Sequence, residues 1–420
     1  RGSTSGPRSC SASDVTTSPN RLPRLVEGAL AVAPVVGLLV FYFWPFLTLV
    51  TEAVTGKAVR DTLSRRSTWD VVWFTTWQAI VSTALTLMAG LVPAWVVARY
   101  DFGGRRFLLG LLTAMFVLPT VVMGAAFLAL LPDSLDRTVW AVIAAHVVFN
   151  LAVVVRTVGA VWEHLPPDME WAAATLGASR LRAFREVTLP LLRPSLTAAG
   201  AIVFLFTFTS FGVIRILGAP GTRTIEVEIW RRATQLGEID VAAVLALLQL
   251  AALGSVIAWS TASQRRHTRA LDLHPRQRRR QAHRGAERRW VQAAVVATLG
   301  VAMTPLVALV LRSFSTPSGW STSAWTNLGR TEVRPGIRLG IDPVEAIRNS
   351  LETMLWATGF AVVVGGLAGL AVAAAGKGGR ILDAGLMLPV GTSAVTIGFG
   401  MLIAFDTDPF DWRADEPLWP

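Results

Sequence analysis

The sequence predicts an all-α fold, a polytopic bundle of membrane-spanning helices, and three observations carry that prediction. The chain is 52% hydrophobic and only 16% charged, whereas a soluble domain carries about 25% charged residues. Its mean hydropathy is +0.50, and apolar runs of membrane length, about 20 residues, recur along it. Trp outnumbers Tyr by 16 to 2 in 420 residues. Hydrocarbon offers no partner to a backbone N–H or C=O, so each such run must be a helix.

Nine spans follow in order. The first runs from about Leu25 to Val50, with Trp44 and Pro45 near its far end, and the second from about Val71 to Ala98. A basic loop, Arg99 to Arg106, precedes a third span over Phe107–Leu131, and a tight turn leads to a fourth over Thr138–Trp162. The fifth covers Leu196–Leu217 and the sixth Asp240–Ala262. Three more are expected at Trp290–Leu311, Asn349–Ala375 and Ile381–Phe405.

Charge sets the expected orientation. The tail 1–24 is Ser/Thr/Gly/Pro-rich, reads as disordered, and carries Arg1, Arg8, Arg21 and Arg24. The 99–106 loop, the 163–195 loop and the linker 263–289 are also basic, the linker with ten Arg. These fall on one side, the cytoplasm, whereas the opposite loops mix acids such as Asp133, Asp136, Glu226, Glu228 and Glu238 with their bases. Lys57, Arg60, Arg65 and Arg66 depart from that rule. The formal charge of +11 is therefore a topology signal and a lipid-facing feature, with no nucleic-acid partner implied. The only cysteine is Cys10, which rules out an internal disulfide framework.

The most ordered polar stretch is Leu165–Ser195. Pro166 and Pro167 stop the preceding helix. Asp168 is placed to cap a short Ala-rich helix over Met169–Leu176, and Gly177 sits where a helix end wants a left-handed residue. A second short helix is expected over Ser179–Val187, carrying Arg180, Arg182 and Arg185, with Pro190 and Pro194 breaking the chain again.

This stretch resembles the EAA loop of the membrane subunits of bacterial ABC importers. Ala172, Ala173, Leu176, Gly177, Ala178 and Ser179 match that pattern, as do Val187, Thr188, Leu189, Pro190 and Pro194. One position departs: Trp171 stands where the motif has its glutamate, and the acid is displaced to Glu170. The segment from Phe204 through Thr222–Trp230 to the sixth span is similar to the ferric-iron and thiamine branch, which fuses two permease halves in one chain.

The resemblance implies a type I importer permease fold. It implies a translocation path for a solute such as ferric iron or thiamine, delivered by a periplasmic or lipid-anchored binding protein. A separate ATP-binding subunit dimer would dock on Asp168, Glu170, Trp171, Ala172, Ala173, Gly177, Arg180, Arg182 and Pro190. It also implies a multi-pass protein of the bacterial inner or plasma membrane, not itself an enzyme and without a cofactor.

Internal repetition supports two halves. Arg106 and Gly124 are 18 apart, as are Arg380 and Gly398, and the basic turn before Arg106 recurs at Gly376–Arg380. The first half is expected over 25–262 with six spans, and the second over 290–420 with three. The second half reads as truncated, with a natural single-loop chain as the alternative.

Polar residues inside spans are the remaining candidates, because intramembrane polar groups are costly and tend to be functional. His146 and Asn150 lie four apart on the fourth span, Thr207, Thr209, Ser210 and Gly212 at the end of the fifth, and Gln249 in the sixth. Each reads either as an interhelical hydrogen bond or as a lining of the path. Arg156 is expected to snorkel. Thr222–Trp230 alternates and reads as an external strand or a half-inserted helix, with Glu226 and Glu228 solvated or meeting a cation.

Two rival classes fit the sequence less well. An ion-coupled secondary transporter needs intramembrane carboxylates, which the central halves of the first five spans do not hold. A membrane enzyme needs clustered acids or His. No phosphate-binding loop, no HExxH metal pair and no grouping of the five His within a span occurs.

Overall fold

The computed structural model describes residues 24–53, 56–166, 168–219, 221–267, 280–281, 285–316, 319–334, 337–338, 340, 342–374, 376–389 and 392–406. Residues 1–23 of the tail expected over 1–24, most of the basic linker and the last residues from 407 lie outside them, while Arg24 opens the first helix. Among the described residues, seven helices are long and apolar enough to cross a membrane, or eight if one bent pair counts as a span. The all-α polytopic prediction holds. Among the described residues, strands are limited to pairings of two or three residues, such as Tyr100–Asp101 with Arg280–Gln281.

The early helices are α1 (Arg24–Leu38), α2 (Trp44–Ala53), α3 (Gly56–Ser64) and α4 (Arg66–Arg99). They are followed by α5 (Arg105–Val117), α6 (Thr120–Leu130) and α7 (Val139–Glu163). The polar loop forms α8 (Asp168–Thr175) and α9 (Arg180–Ala183), and then come α10 (Leu189–Phe208), α11 (Gly212–Leu217), α12 (Ile225–Trp230) and α13 (Ile239–His267). The later part holds α14 (Ala286–Ser313), α15 (Ser323–Thr326), α16 (Pro343–Ala374), α17 (Gly376–Met387) and α18 (Ala394–Ala404).

Three expected spans turn out to be broken. The third bends by 105° between α5 and α6, where Leu118 is extended ahead of Pro119. The fifth stops at Phe208 and restarts at Gly212. The ninth divides at Leu388-Pro389 into α17 and α18. The break recurs in register: Arg106 and the first residue of α6 are 14 apart, as are Arg380 and the first residue of α18. The helix after the break thus starts and ends at the same offset in both places, α6 at 120–130 and α18 at 394–404.

The opposite correction applies at Pro190 and Pro194. The chain does not break there, and one apolar helix runs from Arg180 to Phe208. A π turn, Phe184–Thr188, leads into α10 with the Leu189 N–H donating to the Phe184 carbonyl. Pro190 then sits at the start of the α-helical ladder, where its missing N–H leaves little to be satisfied.

The chain divides into two compact units. In the first, over 1–41 and 348–388, Leu38 of α1 packs on Gly385 of α17 and Phe41 meets Phe360 edge-on at 6.5 Å. The second unit, over 42–347 and 389–420, is organised around α7, whose apolar window is 78% buried. Gly90 of α4 lets Val154 of α7 approach so closely that a Cβ there would stand 2.5 Å from it, the small-residue contact that membrane helices use to pack. The outer helices instead present Val, Leu and Trp side chains such as Val296, Leu355 and Trp356, as a lipid-facing surface requires.

Candidate functional site

Two groups of predicted residues are brought together, one on the loop between α7 and α10 and one inside the bundle. On the loop, α8 starts at Asp168 and has no buried residue. Its end closes as a Schellman motif: the Ala178 N–H reaches the Ala173 carbonyl and the Gly177 N–H the Ala174 carbonyl, both at 3.0 Å. Gly177 takes φ +84°, the left-handed conformation expected of it. Ser179 caps α9 by accepting from the Arg182 N–H.

The displaced acid has an internal partner set. Glu170 Oε1 accepts from the Thr188 hydroxyl at 2.7 Å and from Arg99 Nη2 at 3.5 Å. Arg99 also donates through Nη1 to the Leu165 carbonyl at 2.8 Å. One guanidinium at the end of α4 thus holds both the entry to α8 and α8 itself, while Thr188 ties α8 to the start of α10. Buried Trp162 stacks on Phe184 at 6.0 Å and joins the end of α7 to the same turn. The outward face stays open: Trp171 is 62% and Leu176 89% exposed, with Met169 and Leu181 also exposed. Arg180, Arg182 and Arg185 are exposed, and Arg182 pairs with Glu186 one turn on at 3.0 Å.

Inside the bundle, α4 presents Thr75, Gln78, Ser82 and Thr86 on one buried face. His146 of α7 bridges two helices, with Nδ1 3.3 Å from the Ser82 hydroxyl and Nε2 2.8 Å from the Ser210 hydroxyl. Ser210 lies in the break between α10 and α11, where Gln78 Nε2 also donates to the Thr207 carbonyl at 2.9 Å. Asn150 donates to the His146 carbonyl one turn back, leaving its Oδ1 buried and unpaired. Thr207 and Thr209 return their hydroxyls to their own helix, to Val203 and Leu205. Gly212 starts α11 against Thr120, the first residue of α6. Arg156 reaches back to the Thr113 hydroxyl.

The 222–230 segment corrects the sequence expectation. Of the two expected forms it takes the helix, over Ile225–Trp230, and what is corrected is the strand alternative and the solvated placing of the acids, since Glu226 and Glu228 are both buried. The Ile225 N–H donates to the Thr75 hydroxyl at 2.9 Å, which holds α12 against α4. Glu228 is compensated by charge, with Arg231 at 2.6 Å and Arg232 at 2.7 Å from its Oε1. Glu226 meets neutral donors instead, the Ser393 hydroxyl, Gln249 Nε2 and the Val395 backbone N–H. The alternation of TIEVEIW reads as surface patterning because six residues are too few for helical periodicity to emerge.

Residues 86–269 match the family described as binding-protein-dependent transport system inner membrane component. The sulfate transport system permease protein CysT of Salmonella typhimurium is 34% identical over 214 residues, which cover 45% of this chain and 76% of the relative. The chain belongs to that family. It is a permease of a binding-protein-dependent ABC importer, and ATP hydrolysis in such systems lies in a separate subunit. The thiamine transport system permease protein ThiP of Escherichia coli is 32% identical over 200 residues, covering 43% of this permease and 37% of the relative. Among solved structures, a bacterial alginate ABC transporter in complex with an alginate pentasaccharide-bound periplasmic protein aligns with TM-score 0.49 and 16% identity. That alignment covers 58% of this permease and 96% of the solved chain.

Proposed function

We propose that this permease forms the solute path of an ATP-driven importer and is driven through the 163–195 loop. In this reading α8 lies in a groove of an ATP-binding subunit on the cytoplasmic side, and a binding protein delivers the solute to the opposite face. Residues 25–262 and the part from 290 onward act as two halves joined by the basic linker 263–289. The supporting observation is the division of labour on α8. Glu170 is turned inward onto Arg99 and Thr188, while Trp171, Met169 and Leu176 face outward. A helix tied at its root to α4 and α10 and apolar at its tip can pass a push from a partner into two spans as a rigid body.

Thiamine and sulfate, named for the relatives ThiP and CysT, bracket the range of small polar solutes; iron has no support from them. A photo-crosslinker placed at Trp171 tests the docking. Capture of the co-expressed ATP-binding subunit is expected, and labelling of position 171 by a membrane-impermeant reagent added outside the cell would overturn the reading.

A further inference from the structure

Glu226 is 1% exposed and joins the two repeats: it sits on α12 of the first, and its partner Ser393 is the N-cap of α18 in the second. Gln249 of α13 completes the contact. Gln249 is the eleventh residue of α13, which places it about 15 Å along the helix axis at roughly 1.5 Å per residue. That is about half of a hydrocarbon core of about 30 Å. Transporters with internal repeats place their solute sites near mid-membrane, at the repeat interface and beside interrupted helices, and α18 starts at such an interruption.

The carboxylate has no evident structural duty that a neutral group would not fill. Ser393 already caps α18 by accepting from the Thr396 N–H, and a glutamine at 226 could accept from Ser393 through its oxygen and donate to Gln249 once that amide is turned over. Among the described residues no cation pairs with Glu226, whereas its neighbour Glu228 has Arg223, Arg231 and Arg232. One further acceptor nearby, Gln249 Oε1, is buried without a donor, and the Thr396 hydroxyl is buried without a partner. The Thr396 side chain borders a cavity of about 10 Å³ with Tyr42 and Thr392, room for about one water. Among the described residues no Lys or Arg is fully buried. Around Glu226 the described residues thus place an unpaired acceptor and no fully buried Lys or Arg.

We infer that the solute moved by this permease is an organic cation and not an oxyanion, with Glu226 as the carboxylate that meets it when α18 parts from α12. The inference rests on the importer reading above and narrows its substrate class. An oxyanion brought to this point would face repulsion in a low-dielectric setting with no compensating charge, whereas a cation supplies the partner that Glu226 lacks.

The test uses the full chain in native membranes with dicyclohexylcarbodiimide, an apolar reagent that modifies carboxyls within the bilayer, read by mass spectrometry of the Glu226 peptide. Thiamine and tetramethylammonium are expected to slow labelling at least fivefold, with sulfate leaving it unchanged. Equal labelling under all three ions, or protection by sulfate, overturns the inference. A second arm measures uptake by the reconstituted importer, where Glu226→Gln should lower thiamine uptake at least tenfold while inserting to the same level; unchanged uptake overturns it. Labelling requires no ATPase, so cation protection without ATP-driven uptake would defeat the coupling reading alone. ATP-driven sulfate uptake would defeat the substrate class alone.

Discussion

Gly212 begins α11 so close to Thr120 that a Cβ on it would stand 2.4 Å from the Thr120 hydroxyl and 2.7 Å from the Val121 backbone nitrogen. Two interrupted spans therefore touch at their restart points, and only a residue without a side chain fits between them. Gly212→Ala forces backbone apart and is expected to destabilise the protein by about 1–3 kcal/mol, the usual cost of overpacking. The control is Gly254→Ala in α13, where an added Cβ meets nothing within 4 Å and helix propensity favours alanine by about 1 kcal/mol. Thermal unfolding in detergent separates the two. Equal midpoints would show that the α6–α11 contact is loose.

The brace on α8 predicts a coupling defect. Glu170→Ala removes the acceptor of both Thr188 and Arg99. Since the acid is partly exposed, the stability loss should be small, about 1 kcal/mol. The larger effect is expected in the number of solute molecules moved per ATP hydrolysed, because α8 then moves without dragging α4 and α10. Thr188→Val should give a similar ratio, and the double variant should be no worse than either single one. A ratio that stays at the wild-type value in Glu170→Ala would remove the brace from the mechanism.

Much of this loop is legible in the amino-acid order itself. Proline and glycine at fixed offsets specify the short helix and its left-handed end, because those are local steric rules. Apolar run length specifies the spans. The breaks inside spans three, five and nine escape that reading for a physical reason: hydropathy continues across them, and the turn is imposed by neighbours such as Gly212 on Thr120. Pro119 and Pro389 are the available signals, each disfavouring helical backbone in the residue before it. The burial of Glu226 is not legible either, since α12 has six residues and holds its helix through packing and not through propensity. His146, Ser210 and Gln249 stand out in the sequence as intramembrane polar groups. Ser82, which meets His146, and Gln78, which donates to the Thr207 carbonyl, do not, because polar residues at helical spacing look the same whether or not a partner faces them.

Trp171 and Gly177 separate docking from shape. Trp171 is 62% exposed, so Trp171→Glu should leave the melting temperature unchanged while weakening capture of the ATP-binding subunit about tenfold, as an apolar pocket would reject the charge. Gly177→Leu acts on the backbone instead. Forcing φ +84° on a residue with a side chain costs about 1–2 kcal/mol, and the Schellman closure should fray. Pull-down against the partner reads both. Undiminished capture by Trp171→Glu would mean that the tip of α8 does not enter an apolar groove.

The last prediction concerns the bridge from Ser82 through His146 to Ser210. His146→Leu strands two buried hydroxyls unequally. Ser82 lies within the continuous α4 and can return its hydroxyl to the carbonyl one turn back, as Thr83 and Thr86 already do. Ser210 sits in the interruption between α10 and α11, where no regular carbonyl faces it. Removing the imidazole should therefore be felt through Ser210, and Ser210→Ala added to His146→Leu should recover part of the loss. In membranes such couplings run about 0.6 kcal/mol on average and up to about 1.7 kcal/mol, so a double-mutant cycle on thermal stability should return about 1 kcal/mol for this pair. The same cycle between His146 and Ser82 should return a smaller value. If the two cycles give equal values, the broken helix is no more dependent on His146 than the continuous one, and the bridge does not hold the interruption in place.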